Sequence, residues 1–342
     1  MTIAANNYLP KVACLAESLS QQYGSQHALA LCLVERDTDC ATAYNASGIN
    51  RLLVASELGI ENFPSFVFRH SLIEAATAIK AQLFLWALEN YTHENEFVYL
   101  DPDILVYSKF DELEAALQTK NIIVTPHHVN DDDSFEATSD NMILRSKFGV
   151  FNLGFLAIKR SPEALRFLSW WNHKLRQLCY VDFARGLFVD QKWIDAAPSF
   201  FDLGVLRHPG YNVANWNIAQ RKVTQDADGL YRVNDQSMRF FHFSHIDSGH
   251  DLLFFKKYLS DSDLVFRIRA LYLESTKAKA IDRYGRVLWS YDYFKSGETI
   301  LAETRSTYRA NPALTHIFPD PFESSNEIIQ SALPRSGKVL RR

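Results

Sequence analysis

The sequence predicts an α/β fold, a mixed, largely parallel sheet with helices on both faces. In the first third of the chain, short apolar runs alternate with segments of helical periodicity, the order that joins strands through crossover helices. The 342 residues are 47% hydrophobic and 22% charged, which is core material for one large α/β domain or two smaller ones. One apolar run, Phe97–Leu100, stops at Asp101-Pro102-Asp103, and the carboxyl ends of strands are where open α/β sheets place ligands.

Taken in order, Thr2–Ala5 reads as a short strand and Tyr8–Gln22 as a helix with Leu9, Val12, Leu15 and Leu19 at helical spacing. Ala28–Val34 is a buried strand. Leu72–Asn90 forms one long helix whose stripe is Leu72, Ala76, Ile79, Leu83 and Trp86. Asn121–Thr125 and Phe148–Ile158 are further strands, and the polar stretch His127–Ser139, with Asp131-Asp132-Asp133, is a loop. Ser161-Pro162-Glu163 starts a helix with a capping hydroxyl, a proline in the first turn and a carboxylate at the positive dipole end. Beyond Leu203 the elements are short and aromatic. Residues 281–320, with Tyr284, Trp289, Tyr291, Tyr293, Phe294 and Tyr308, form a packed cap, and the polar, basic-ended stretch 323–342 is a flexible tail.

Composition excludes several classes of function. A net charge of −4 gives no footprint for wrapping nucleic acid. No apolar run is long enough for a transmembrane segment, and the N-terminus opens on a strand without a charged-then-apolar leader, so no secretory signal is expected. Four scattered cysteines without a CxxC pair fit reduced thiols in the cytoplasm.

The chemistry concentrates in a few places. Asp-x-Asp spacing also occurs at Asp37/Asp39, Asp131/Asp133, Asp226/Asp228 and Asp261/Asp263, but the pair Asp101/Asp103 is the one that ends a fully apolar strand. Pro102 ends the ladder there, so both carboxylates turn toward one point, a hard-oxygen site for Mn²⁺ or Mg²⁺ together with phosphate oxygens. In Arg239–His245, His242 is either a third ligand or a satisfied core histidine, with His245 and His250 close by. Asn152 and Gly154 interrupt an apolar strand, as a plain bulge or as a close approach with sugar hydroxyls as partners for the amide. Asp190 and Gln191 open a short helix, where Asp190 serves as N-cap or as a reactive carboxylate. Lys80 is a phosphate counter-charge or a surface lysine. The amides and rings of Gly210–Asn217, Asn212 among them, suit carbohydrate or an Asn-rich turn.

In this order the segments ANNYL, FVYLDPDI, FNLGF, GLFVDQKW, PGYNVANWN and RFFHFS resemble the GT-A glycosyltransferases, in particular the retaining enzymes of glycosyltransferase family 8. The resemblance runs from Thr2 to about Asp247 and is nearest to bacterial members of the glycogenin and lipopolysaccharide galactosyltransferase kind. It implies a Rossmann-like nucleotide-diphospho-sugar transferase domain over residues 1–250, with a helical and aromatic cap at 251–322. It further implies a metal-dependent transfer of a sugar from a UDP-linked donor to a glycan or glycoconjugate hydroxyl, with retention of configuration, in polysaccharide biosynthesis. The expected location is cytoplasmic, including the inner face of the membrane as a peripheral protein.

By the same resemblance, Asp101, Asp103 and His242 hold the metal, and Asn7 and Tyr8 meet the base and ribose. Lys80 touches donor phosphate or sugar, and Asn152, Gly154 and Asn212 lie at the donor sugar. Asp190 and Gln191 stand near the anomeric carbon, with Asn152 beside them as a catalytic candidate. The Gly and Lys-Pro-Trp that follow the late histidine in the family are missing from His242-Phe-Ser-His245-Ile-Asp-Ser-Gly, which leaves Lys256 or Lys257 to bind phosphate. A non-catalytic nucleotide-sugar or glycan-binding module of the same fold is the alternative. A sugar-phosphate nucleotidyltransferase is disfavoured because Ala4–Lys11 contains no glycine for a phosphate loop.

Overall fold

The computed structural model describes residues 1–44, 48–131, 134–280 and 288–332. Its centre is a mixed sheet. Strands β1 (Thr2–Ala4), β2 (Ala30–Leu33) and β3 (Arg51–Val54) pair in parallel in the order β1-β2-β3. Strands β4 (Glu96–Leu100), β6 (Ile122–Pro126), β7 (Phe151–Lys159) and β10 (Gly204–Val205) form the order β10-β6-β7-β4. The two halves join at β1 and β4. The Met1 nitrogen donates to the Val98 carbonyl and the Leu100 N–H donates to the Met1 carbonyl, the alternation of a parallel ladder. The order therefore reverses between β1 and β4, and the crevice outside their carboxyl ends is a topological switch point.

The sheet is mixed, as expected from the sequence: β7 runs antiparallel to both β4 and β6, while the other pairs are parallel. Strand β7 re-enters the sheet from the end at which β6 leaves it, so no crossover lies between them. Its pairing with β6 slips between Val124, opposite Leu156, and Thr125, opposite Asn152. That slip is a bulge around Gly154. Outside the main sheet, β5 (Ile104–Val106) pairs antiparallel with β14 (Phe240–His242), and Val213 bridges Phe241 on the far side. Small ladders complete the strands: β8 (Val181–Asp182) with β9 (Leu187–Phe188), and β11 (Val223–Gln225), β12 (Tyr231–Val233) and β13 (Gln236–Ser237) in a meander.

Helices α1 (Leu9–Tyr23), α2 (Asp39–Tyr44) and α3 (Phe63–Phe68) belong to the first half. The long helix expected over Leu72–Asn90 is two, α4 (Leu72–Ala78) and α5 (Lys80–Asn90), broken at Ile79 (φ −89°, ψ −2°). Of the expected stripe, Ile79 and Leu83 are fully buried and Leu72, Ala76 and Trp86 half-buried, while Ala75, Ala78, Ala81, Phe84 and Ala87 widen the buried face. After α6 (Asp111–Ala116), the loop expected at His127–Ser139 becomes helical from Phe135. Helix α7 (Phe135–Ala137), a π-turn over Thr138–Met142 and α8 (Ile143–Phe148) lead into β7; Asp132 and Asp133 lie outside the described residues. Helix α9 (Pro162–Leu178) starts as its sequence dictates, with the Ser161 hydroxyl accepting from the Ala164 N–H at 3.0 Å.

Helices α10 (Asp251–Tyr258) and α11 (Leu264–Lys279) follow the β14 strand, and α12 (Ala302–Ala310), α13 (Pro312–Ile317) and α14 (Asn326–Ser331) end the described chain. The aromatics Trp289, Tyr291, Phe294 and Tyr308 are buried in one core with Phe63, Phe66 and Phe68 of α3; Tyr284 lies outside the described residues. Glu35, just past β2, is buried and accepts from the Asn6 N–H at 2.9 Å and the Ser290 N–H at 2.9 Å. Burial raises its pKa. One carboxylate thus pins the turn after β1 to the segment at 288–293.

Of the stretch expected as a flexible tail at 323–342, residues 326–331 form α14, while 333–342 lie outside the described residues. Ile329 of α14 is fully buried, and the Asn326 side chain accepts from the Leu301 N–H at 3.0 Å and the Thr304 hydroxyl at 2.7 Å. An Ile329→Ala substitution is expected to cost about 2–4 kcal/mol of unfolding free energy in urea titration. A change within about 0.5 kcal/mol, as for a surface residue, would return this stretch to the tail reading.

Candidate functional site

The switch point gathers the acidic residues. Asp101 follows β4, and its N–H donates to the Gly154 carbonyl at 2.8 Å across the ladder. Tyr99, two residues back on the same strand face, donates its hydroxyl to Asp101 Oδ1 at 2.8 Å. Asp103 precedes β5, and its carbonyl accepts from the Phe243 N–H at 2.9 Å, which fixes the end of β14 beside it. His242 Nε2 then stands 3.2 Å from Asp103 Oδ1 and 3.7 Å from Asp101 Oδ2. Ligand atoms of Asp101, Asp103 and His242 all lie within 4.8 Å of one another.

A chain of amides sets the histidine. Asn212, at φ 53°, donates Nδ2 to the Thr125 hydroxyl at 3.0 Å and to Asn152 Oδ1 at 2.9 Å, which leaves its Oδ1 to accept from His242 Nδ1 at 3.0 Å. With Nδ1 carrying the proton, the Nε2 lone pair faces the two carboxylates. The Gly154 N–H holds Asn152 Oδ1 at 3.0 Å from the other side. The Trp216 ring stands edge-on to His242 at 5.1 Å. A Cβ on Gly154 would lie 2.4 Å from His242 Cε1 and 2.8 Å from Asp101 Oδ2, so glycine is required where the two ligands converge.

This donor set fits a hard divalent cation: two carboxylates and one imidazole nitrogen, converging on a point with no side chain behind it. Burial works against the charge on Asp103, but His242 and then Lys11 hold its pKa below the usual carboxylate value. Burial likewise works against the His242 imidazolium, and the two carboxylates raise its pKa in the absence of metal.

Lys80 is neither a surface residue nor a group facing the crevice. Its ammonium is buried, donates to the Leu153 carbonyl at 2.8 Å, and lies 2.7 Å from Asp190 and 3.8 Å from Asp101. Burial disfavours that charge, yet Asp190 and Asp101 hold its pKa above the ordinary lysine value. Asp190 occupies the N-cap position of a 3₁₀ helix, Gln191–Ser199, but makes no capping bond, because its carboxylate is turned to Lys80. Val189 before it adopts φ 39°, which is strained for a β-branched residue. Gln191 donates Nε2 to the Phe148 carbonyl at 2.8 Å.

The expected site residues therefore divide. Asp101, Asp103, His242 and Gly154 converge, and Asp190 joins them through Lys80. Asn152 and Asn212 are buried and bonded to one another, and Asn212 also bonds His242. Asn7 is exposed and Tyr8 half-buried at the end of β1. Lys257 is paired with Asp140, and Lys256 is exposed on α10. Two residues escaped the sequence reading. Tyr99 shares the strand face of Asp101 at a spacing of two, and Lys11 lies one helical turn beyond Tyr8, over whose ring its ammonium sits at 3.9 Å.

Among solved structures, the chain is similar to mouse xyloside xylosyltransferase 1 in its apo form, at 13% identity, covering 71% of this chain and 96% of that one, with a TM-score of 0.41. It is similar to the galactosyltransferase LgtC in complex with donor and acceptor sugar analogs, at 15% identity, covering 81% and 94%, with a TM-score of 0.42. A third similarity is to a glycosyltransferase involved in the glycosylation of the major capsid of PBCV-1, at 11% identity, covering 74% and 98%, with a TM-score of 0.39. No protein-family profile matches the sequence, and no curated protein does. No helix among the described residues is long and apolar enough to cross a membrane.

Two outcomes follow from the geometry. Gly154→Ala is expected to weaken Mn²⁺ binding by about tenfold or more in calorimetric titration while the far-ultraviolet dichroism stays unchanged; undiminished binding would show that the three side chains do not act together. Lys80→Met strands a buried carboxylate and is expected to cost about 3–5 kcal/mol of stability in urea. Adding Asp190→Asn should restore part of that loss, and strict additivity of the two costs would contradict the ion pair.

Proposed function

We propose that the protein is a GT-A-type glycosyltransferase. It moves a sugar from a nucleotide-diphosphate donor, UDP-linked, to a hydroxyl of a glycan or glycoconjugate, with a divalent metal and with retention of configuration. The observation that carries this reading is the convergence of Asp101, Asp103 and His242 over Gly154 at the switch point between β1 and β4. Two carboxylates, an imidazole nitrogen and a bare backbone suit a metal–diphosphate pair.

Asp101, Asp103 and His242 would hold Mn²⁺ or Mg²⁺, which when bound supplies positive charge to the diphosphate as it departs. The protein's own groups do the positioning. Tyr99 and the Gly154 carbonyl orient Asp101, and Asn212 keeps the proton of His242 on Nδ1. Asn7 and Tyr8, following β1, border the crevice where base and ribose would lie. Asp190 and Gln191 stabilise the charge that develops at the anomeric carbon, while the acceptor proton passes to the leaving phosphate oxygen on the same face. The 2.7 Å contact of Asp190 with Lys80 favours this role over direct attack, since a buried, ion-paired carboxylate is a poor nucleophile.

Thermal denaturation with UDP, with and without Mn²⁺, tests the reading. At about 100 times its dissociation constant a bound ligand adds roughly 2.7 kcal/mol of stability, visible as a rise in Tm. The rise is expected only with metal and is expected to vanish in Asp103→Ala. No rise with UDP or any other nucleoside diphosphate overturns the donor site. Binding without release of UDP from any UDP-sugar, in the presence of glycan acceptors, would make the protein a non-catalytic module of the same fold.

A further inference from the structure

The donor-site reading sets a charge requirement that the metal alone does not meet. Asp101 and Asp103 neutralise a divalent ion, so a diphosphate entering the crevice brings further negative charge that needs a cation of the protein. Lys80 is committed, buried against Asp190 and Asp101. Lys257 is tied to Asp140 and Lys256 is exposed on α10.

Lys11 is placed differently. It rises from the first turn of α1, the helix that follows β1 at the switch point, with its ammonium 3.9 Å from the centre of the Tyr8 ring. Its partner is Asp247 Oδ2 at 2.5 Å. The pair is lopsided: the Lys11 side chain is 8% exposed and that of Asp247 is 58% exposed. Asp247 belongs to the turn that follows β14, where His245 (φ 62°) and Gly249 (φ 70°) are both left-handed.

A second observation marks the same spot. The Tyr272 hydroxyl is buried without a hydrogen-bond partner, although its ring is fixed by stacking on Phe243 at 3.8 Å and 3°. Its helix, α11, packs against α1, the helix that carries Lys11. An unpartnered hydroxyl and an ammonium held by an exposed carboxylate are both donors suited to an anion.

We propose that Lys11 binds the diphosphate of the donor nucleotide, and that Asp247 occupies the ammonium until the nucleotide displaces it. This assigns the phosphate-binding cation to helix α1 instead of the stretch after His242.

The test measures binding of UDP, GDP, ADP and TDP by calorimetry in saturating MnCl₂, and of MnCl₂ alone, to the full chain and three variants. Lys11→Met is expected to weaken the best-binding diphosphate roughly tenfold to a hundredfold. Its affinity for Mn²⁺ alone should be kept or raised, because a neighbouring positive charge is gone. Lys11→Arg should restore most of the diphosphate affinity. Asp247→Asn should tighten diphosphate binding, opposite in sign to Lys11→Met.

If Lys11 and Asp247 merely brace the fold, both variants move the same way and Mn²⁺ binding falls with diphosphate binding, which overturns the assignment. Unchanged diphosphate affinity in Lys11→Met overturns it while leaving the donor site intact. Absence of diphosphate binding by the unsubstituted protein overturns the donor-site reading itself.

Discussion

A buried ammonium has to be matched by charge wherever it sits, and Lys80 imposes that demand on four parts of the chain at once. Its partners are the Leu153 carbonyl on the bulged strand β7, Asp101 at the end of β4 and Asp190 at the start of a 3₁₀ helix, while its own stem leaves the first residue of α5. Leaving such a charge unpaired would cost several kcal/mol, comparable to a large share of a domain's net stability. The local irregularities follow from meeting it. The bend at Ile79 lets α5 begin with Lys80 buried, and the strained Val189 (φ 39°) turns Asp190 inward instead of leaving it as a helix cap. The same ion links Asp190 to Asp101.

On the opposite side, the logic of the polar groups is hydrogen-bond direction. Thr125, Asn152, Asn212 and His242 form one buried chain in which both donors of the Asn212 amide are matched. Only one histidine tautomer completes that chain, and it is the one that leaves Nε2 bare toward Asp101 and Asp103. The bulge in β7 serves both halves: it presents the Leu153 carbonyl to Lys80, the Gly154 N–H to Asn152 and a bare Cα to the ligands. Ionic and amide networks therefore meet at three consecutive residues of one strand.

The strands that supply this edge were legible because they are short, continuously apolar and bounded by polar residues; β1, β2, β4, β6 and β7 stand where their composition puts them. Asp101 stood out among several Asp-x-Asp pairs by the same criterion. What escaped depends on long-range partners. The direction of β7 is set by how the chain re-enters the sheet, and no local pattern records that. The apolar stripe assigned to Leu72–Asn90 missed that alanines could form the buried face and that a lysine could be interior. Asn212 read as a sugar ligand because an amide advertises hydrogen bonding without naming its partner, and here the partner is an imidazole thirty residues away.

The two lysines near the site differ in how their ion-pair partners are exposed, and on the proposal above that difference separates a brace from a binding group. Lys80 and Asp190 are both interior, so any ligand that drew the ammonium away would strand a carboxylate out of water. Lys11 has the same burial, but its carboxylate partner lies mostly in solvent, and releasing Asp247 to water costs little more than the loss of a surface pair. A phosphate oxygen arriving at Lys11 replaces one charge-assisted bond by another and hands the displaced carboxylate to solvent. At Lys80 the same exchange is blocked by desolvation. The distinction lies wholly in the partner, which is why the position of a lysine in the sequence, or even its distance from the metal ligands, does not by itself decide whether it holds the protein or its substrate.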